Sequence, residues 1–162
     1  MHYIIDGYNF LFFYLSFDSS LQKKREEMIE LLDENLLDLK IRATIIFDGF
    51  SNAHDNIERQ YFNSLVVIFT GKNQTADEYI IEKLSVTENN NEETVITGDK
   101  SLALKSKQLG AHVLTPKNFV KKVLSKPIEA NNNTQNFEDT KENIERLLEI
   151  FENRLKENNF EI

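Results

Sequence analysis

Four stretches of this 162-residue chain, "HYIID", "IRATIIFD", "SLVVIFTG" and "TVITGD", are apolar, rich in β-branched residues, and do not alternate. A strand with one face in water alternates apolar and polar residues, whereas a strand covered on both faces does not. These runs therefore predict a mostly parallel sheet with helices on each side. The intervening segments have helical spacing. Residues 21–39 place Met28, Leu32, Leu36 and Leu39 on one face, 76–84 place Ala76, Ile80, Ile81 and Leu84, and 100–109 close at Gly110. "AHVLT" is a fifth strand, and Thr115 with Pro116 forms the cap and first turn of a helix to about Lys126. Alternating strand and helix give a doubly wound α/β domain.

Three of the buried strands end alike: Ile5 before Asp6, Phe47 before Asp48, and Thr97–Gly98 before Asp99. A fourth acid, Asp77, opens the helix after "VVIFTG". In open α/β sheets the carboxyl ends of parallel strands converge on the crevice where ligands bind, so the four carboxylates are expected to face one another. Like charges so placed raise one another's pKa unless a cation lies between them. With oxygen donors, no cysteine, and His2, His54 and His112 scattered, the cation expected is Mg²⁺ or Mn²⁺. Such an ion holds a phosphate oxygen and lowers the pKa of a water, chemistry suited to phosphodiester hydrolysis.

Each acid also has a purely local reading. Asp6–Gly7 and Asp48–Gly49 are turn-type pairs, Asp99 suits the cap of a helix beginning at Lys100, and Asp77 suits a first turn. Thr75 and Glu78 have capping-box spacing, which makes Glu78 structural. Asn9 either caps the short helix "FLFFYL" or orients a water beside the acids. The local readings do not require all the acids to fall on one edge of a sheet.

The wording and order of "IIDGYN", "IIFDG", "TADEYI" and "VITGDKSLALKSKQLGA" resemble the NYN domains of the PIN-like nuclease superfamily, most closely the bacterial YacP-like branch. The resemblance covers residues 1–126. It implies a PIN-like three-layer α/β/α fold around a mostly parallel sheet, and a metal-dependent ribonuclease leaving 5′-phosphate products. By motif match it implies catalytic residues Asp6, Asn9, Asp48, Asp77 and Asp99, with the four acids as ligands of Mg²⁺ or Mn²⁺ and Thr97 steadying the last acid. Gln74 and Gly49 stand where relatives often carry Glu and Ala.

The formal net charge of −8 argues at first against an RNA partner, but its distribution does not. Residues 1–126 hold 15 Lys and Arg against 18 Asp and Glu, while 127–162 hold 4 against 9. The tail thus carries most of the excess acidity, and residues 100–126 contain seven lysines and no acid. Lys100, Lys105 and Lys107, with Lys72 beside Asp77, are the expected phosphate contacts, and Tyr8 is the expected stacking platform for an unpaired base. The lysines read equally as solvated helix ends, and the aromatic run at 10–14 reads as core.

The organisation expected is a nuclease domain at 1–126, a polar linker at 127–136 ("PIEANNNTQN"), and an amphipathic helix at 137–162. That helix carries Phe137, Ile144, Leu148, Phe151 and Leu155 at three- and four-residue intervals, for docking on its own domain or for homodimer or partner contact. No apolar run approaches the ~20 residues of a membrane span, and the absence of cysteine fits a reducing, cytoplasmic setting. The function expected is an endoribonuclease acting on mRNA or ribosome-associated RNA. The alternatives are a non-catalytic RNA- or ribosome-binding module with a structural ion, and a receiver-like phosphotransfer domain. The last wants paired acids after the first strand and a lysine after the fifth, where this chain has Asp6–Gly7 and "VLTP".

Overall fold

The computed structural model describes residues 1–14, 20–49 and 56–124; the linker and terminal helix expected at 127–162 lie outside the described residues. Six strands form one sheet: β1 (His2–Asp6), β2 (Ala43–Phe47), β3 (Glu58–Tyr61), β4 (Leu65–Phe69), β5 (Glu93–Ile96) and β6 (His112–Leu114). The order is β3-β4-β2-β1-β5-β6, parallel throughout except that β3 runs antiparallel to β4. The chain moves outward from β1 through β2 to β4, then returns to β1's other side at β5. The order therefore reverses between β1 and β5, which makes that gap the topological switch point.

Because strand side chains alternate between faces, consecutive apolar residues feed two cores. Tyr3, Ile5, Ala43, Ile45 and Phe47 pack with Phe10 and Leu11 of helix α1 (Gly7–Tyr14) and Met28, Leu32 and Leu36 of α2 (Leu21–Asp38). Ile4, Ile46 and Val95 pack on the opposite face with Ala76, Ile80 and Leu84 of α3 (Ala76–Val86) and Leu102 of α4 (Lys100–Gln108). Helix α5 (Pro116–Phe119), capped by Thr115 accepting the Asn118 N–H, continues as a π-helical turn over Val120–Leu124 and joins the first core through Phe119 and Val120.

Helix ends follow their sequence signals. After α4, Gly110 adopts φ 90°, its N–H reaching the Lys107 carbonyl and that of Ala111 the Ser106 carbonyl, a Schellman closure. After α2, Lys40 takes the same left-handed role at φ 55°. Among the described residues no helix is long and apolar enough to cross a membrane.

Strand β3, "ERQY", was not among the expected strands. All four of its residues are exposed, so no apolar pattern marks it, and a short charged strand is what a sheet edge tolerates. Its hairpin is fixed by Asp33 of α2, buried at 5% exposure. The Asp33 carboxylate accepts the backbone N–H groups of Asn63, Ser64 and Leu65 at 3.3, 2.7 and 3.0 Å and the Asn63 side-chain amide at 2.9 Å. Truncating one side of so shared a buried contact leaves several donors without an acceptor. Asp33→Ala is expected to cost about 3 kcal/mol in chemical denaturation; a loss under about 1 kcal/mol would show that water replaces the carboxylate.

Candidate active site

Helix α1 follows β1 with no intervening loop, and the sequence "IIDGYN" explains how. The Asn9 backbone N–H hydrogen-bonds the Asp6 carboxylate, which thereby caps the helix. A Cβ on Gly7 would lie 2.5 Å from the Phe47 ring and 2.7 Å from the Ile46 carbonyl oxygen, so only glycine fits between these strands. At Gly49 a Cβ would lie 1.8 Å from the Thr70 carbonyl oxygen. Neither glycine has positive φ; Gly110 alone among the described glycines does. The Asp-Gly pairs are thus sites of close strand approach, and the turn reading of them is corrected.

The capping reading of Asn9 is corrected as well. Asn9 is the third residue of α1, and its Oδ1 accepts the Gly98 N–H at 2.6 Å, tying the first strand's exit to the fifth's. Across the switch point, Thr97 Oγ1 donates to Asp6 Oδ2 at 2.8 Å and accepts the Asp99 N–H at 3.0 Å. One hydroxyl therefore fixes the side chain of the first acid and the backbone of the last.

Asp99 caps α4, its Oδ1 accepting the Leu102 N–H at 2.8 Å. Asp48 Oδ1 accepts the Ala76 N–H at 2.6 Å at the start of α3. Thr75 and Glu78 form the expected capping box. Three acids thus sit on the amino ends of three helices, where aligned backbone dipoles favour negative charge.

The caps do not dissolve the crowding. Burial, at 7% exposure, pushes the Asp6 carboxyl up to about 6; the charges of Asp77 and Asp48 add to the rise, and the bonds from Thr97 and Asn9 oppose it. Asp77 is likewise raised, first by burial and then by Asp99 and Asp48, with Lys105 pulling the other way. Each of the four acids repels at least one other.

Among the described residues no three His, Cys, Asp or Glu side chains close around a single point. A hard divalent ion still fits the donor set in kind: the donors are carboxylate oxygens, they repel one another, and Mg²⁺ keeps several waters while taking one or two carboxylates.

Two hollows meet along Asp77 and Glu78. The larger, about 660 Å³, runs from Asp48 and Gly49 past Lys72, Asn73 and Gln74. The smaller, about 280 Å³, lies between α3 and α4 and includes Leu102 and Lys105. The Gln74 side-chain amide is engaged by Glu82. Lys72, Lys100, Lys105 and Lys107 are all exposed, and Lys105 is brought against Asp77.

Tyr8 falls elsewhere than expected. At 8% exposure it lies in the core, edge-on to Phe47 and stacked on Phe12, and its hydroxyl accepts a bond from Arg25 Nη1 at 3.0 Å. Its ring offers no free face to a base. Arg25, which the sequence reading passed over, stands at this same sheet edge, reaching it from α2, and its place one turn into that helix gave no signal.

Asp6 yields a pH prediction for metal-free protein. In the unfolded chain it ionises near 3.8, in the fold near 6, so the stability it contributes is full below 3.8 and is lost as pH rises through 6. Lowering the pH from about 7 to about 5 should strengthen the fold by about 1 kcal/mol through this group. Asp6→Asn, which keeps a capping side chain, should be the more stable protein at the upper pH and lack that gain. Denaturation curves in EDTA at both pH values check this; a parent chain that weakens relative to Asp6→Asn on acidification refutes it.

The comparisons agree with this architecture. Two crystal structures of Rae1 (YacP) from Bacillus subtilis share the fold. One, a single-substitution mutant, has a TM-score of 0.57 at 19% identity and covers 96% of this chain and 79% of that one. The other has a TM-score of 0.54 at 23% identity, with 95% and 83% covered. No curated protein matches the chain. The model of the YacP-like NYN domain matches residues 3–161, and the chain therefore belongs to that family of PIN-like nucleases.

Proposed function

We propose that this protein is a Mg²⁺- or Mn²⁺-dependent ribonuclease that hydrolyses phosphodiester bonds within mRNA or ribosome-associated RNA. The observation that supports it best is the repulsion that links four carboxylates at the ends of β1, β2 and β5 and in the first turn of α3, two of which, Asp48 and Asp77, line a hollow large enough for a nucleotide. Carboxylates held together against their own repulsion are a common mark of a catalytic site.

The residues that would hold the ion are Asp6 and Asp99, with Asp48 and Asp77 completing or positioning the cluster. A bound divalent ion supplies Lewis-acid charge at the phosphoryl oxygens and a water of lowered pKa. The rest belongs to the chain's own residues. Thr97 fixes the orientation of Asp6, and Asn9 fixes Gly98 and hence the approach of Asp99. Lys72 at the larger hollow and Lys105 at the smaller hold the strand's phosphates on either side of Asp77, and Lys100 and Lys107 extend that contact along α4.

A second reading has a specific observation behind it. Asp6, Asp48 and Asp99 already satisfy helix amides, which suits an RNA- or ribosome-binding module that cuts nothing.

Cleavage separates the two readings. Purified protein, incubated with a structured and an unstructured RNA, is expected to cut with Mg²⁺ or Mn²⁺ and to stop with EDTA. Asp6→Asn and Asp99→Asn should each lower the rate at least about a hundredfold, since a lost ligand charge removes several kcal/mol of transition-state stabilisation. Asparagine caps helices as well as aspartate does, so Asp99→Asn tests the charge rather than the helix. Cutting that survives EDTA and both substitutions belongs to a contaminant; binding without cutting supports the module.

A further inference from the structure

Arg25 lies in the first turns of α2, on the sheet face opposite α3 and α4. Its guanidinium carbon sits 4.9 Å from the centre of the Phe69 ring and 5.8 Å from that of Phe47. These rings are stacked 5.6 Å apart and belong to the last residues of β4 and β2, so the platform is the carboxyl edge itself, one residue before Asp48. Nη1 donates to the Tyr8 hydroxyl at 3.0 Å. That is a single donor out of the guanidinium's five. Among the described residues Arg25 makes no ion pair with a carboxylate, although four acids line the neighbouring edge. It is half-buried, its plane held by two rings and a hydroxyl.

An arginine that only closed a surface charge pair would have a carboxylate partner, and one that only packed would not need its head fixed at the carboxyl edge of the sheet. Fixed planar donors without an acidic partner match the paired oxygens of a phosphodiester. A strand whose phosphate lies over Asp6 and Asp99 also needs positive charge on the α2 side of the edge, because Lys72 and Lys105 serve only the α3 side.

We propose that Arg25 binds a backbone phosphate of the RNA strand beside the one cleaved, with Tyr8 as its positioning residue. This rests on the ribonuclease reading for the identity of the strand, and its test is chosen to be separable from that reading. Binding of a fluorescent single-stranded RNA is measured in Mg²⁺ over a range of salt, in an Asp99→Asn background to prevent turnover, alongside cleavage by the parent chain.

Arg25→Gln should weaken binding on the order of fivefold at about 0.1 M salt and make the slope of log K against log salt shallower by about 0.7, the share of one phosphate on a single strand. Arg25→Lys should restore the slope while recovering only part of the affinity, since it returns the charge without the planar fork. Should Arg25→Gln fail to fold, Arg25→Met keeps the apolar stem over Phe69 and removes the same charge. A purely structural Arg25 predicts a lower melting temperature with the salt slope unchanged in Gln, Met and Lys variants alike, and that result overturns the proposal. Binding with the predicted slope change but no cleavage by the parent would leave Arg25 as an RNA contact and fail the nuclease reading. No RNA binding by the parent defeats both.

Discussion

Repulsion among carboxylates at one sheet edge is the constraint around which this molecule is arranged. Parallel pairing of β1 with β2 and β5 brings their carboxyl ends level, so Asp6, Asp48 and the Thr97–Asp99 turn must share a rim. Left there, the charges would push the strand ends apart. The fold offsets them with three helix amino termini, on the N–H groups of Asn9, Ala76 and Leu102, and with the Thr97 hydroxyl that bridges β1 to β5. The offset is partial, since Asp6 and Asp77 both remain harder to ionise than free carboxyls.

Capping and cation binding were posed from the sequence as rival accounts of each acid, but the geometry makes them compatible. A cap occupies one oxygen and fixes its direction, which is what a pre-organised ligand needs. The direction comes from the helix, and the incomplete neutralisation leaves the site receptive to positive charge. Asp77 differs from the rest, standing in a first turn with its carboxyl only partly enclosed, and it is raised by that enclosure and then by Asp99 and Asp48. It lies where the two hollows meet, so a strand passing between them crosses it.

The strands and helices were legible in the sequence where burial on two faces wrote an apolar run or a helical stripe: Ile4 and Ile5 in β1, Met28, Leu32 and Leu36 in α2, Ile80 and Leu84 in α3. What escaped was decided by partners remote in the chain. Strand β3 exists because β4 offers an edge and Asp33 grips the turn, and neither fact shows in "ERQY". Gly7 and Gly49 looked like turn residues because sequence reports the missing side chain and not the neighbour that forbids one. Tyr8 looked available because an aromatic just after a strand gives no sign of the arginine, seventeen residues later, that donates to its hydroxyl.

Charge makes the same point at larger scale. A chain with net charge −8 whose sheet edge is itself acidic could accept a polyanion there only if cations flank that edge locally. Lys105 stands beside Asp77 on the α3–α4 layer, and Arg25 stands over Phe69 on the α2 layer, one on each face of the sheet. The two differ in kind. Lys105 is an exposed ammonium that eases a neighbouring acid, whereas the Arg25 guanidinium is held by two rings and a hydroxyl. An edge so built carries positive charge on both faces of the sheet and negative charge at its centre.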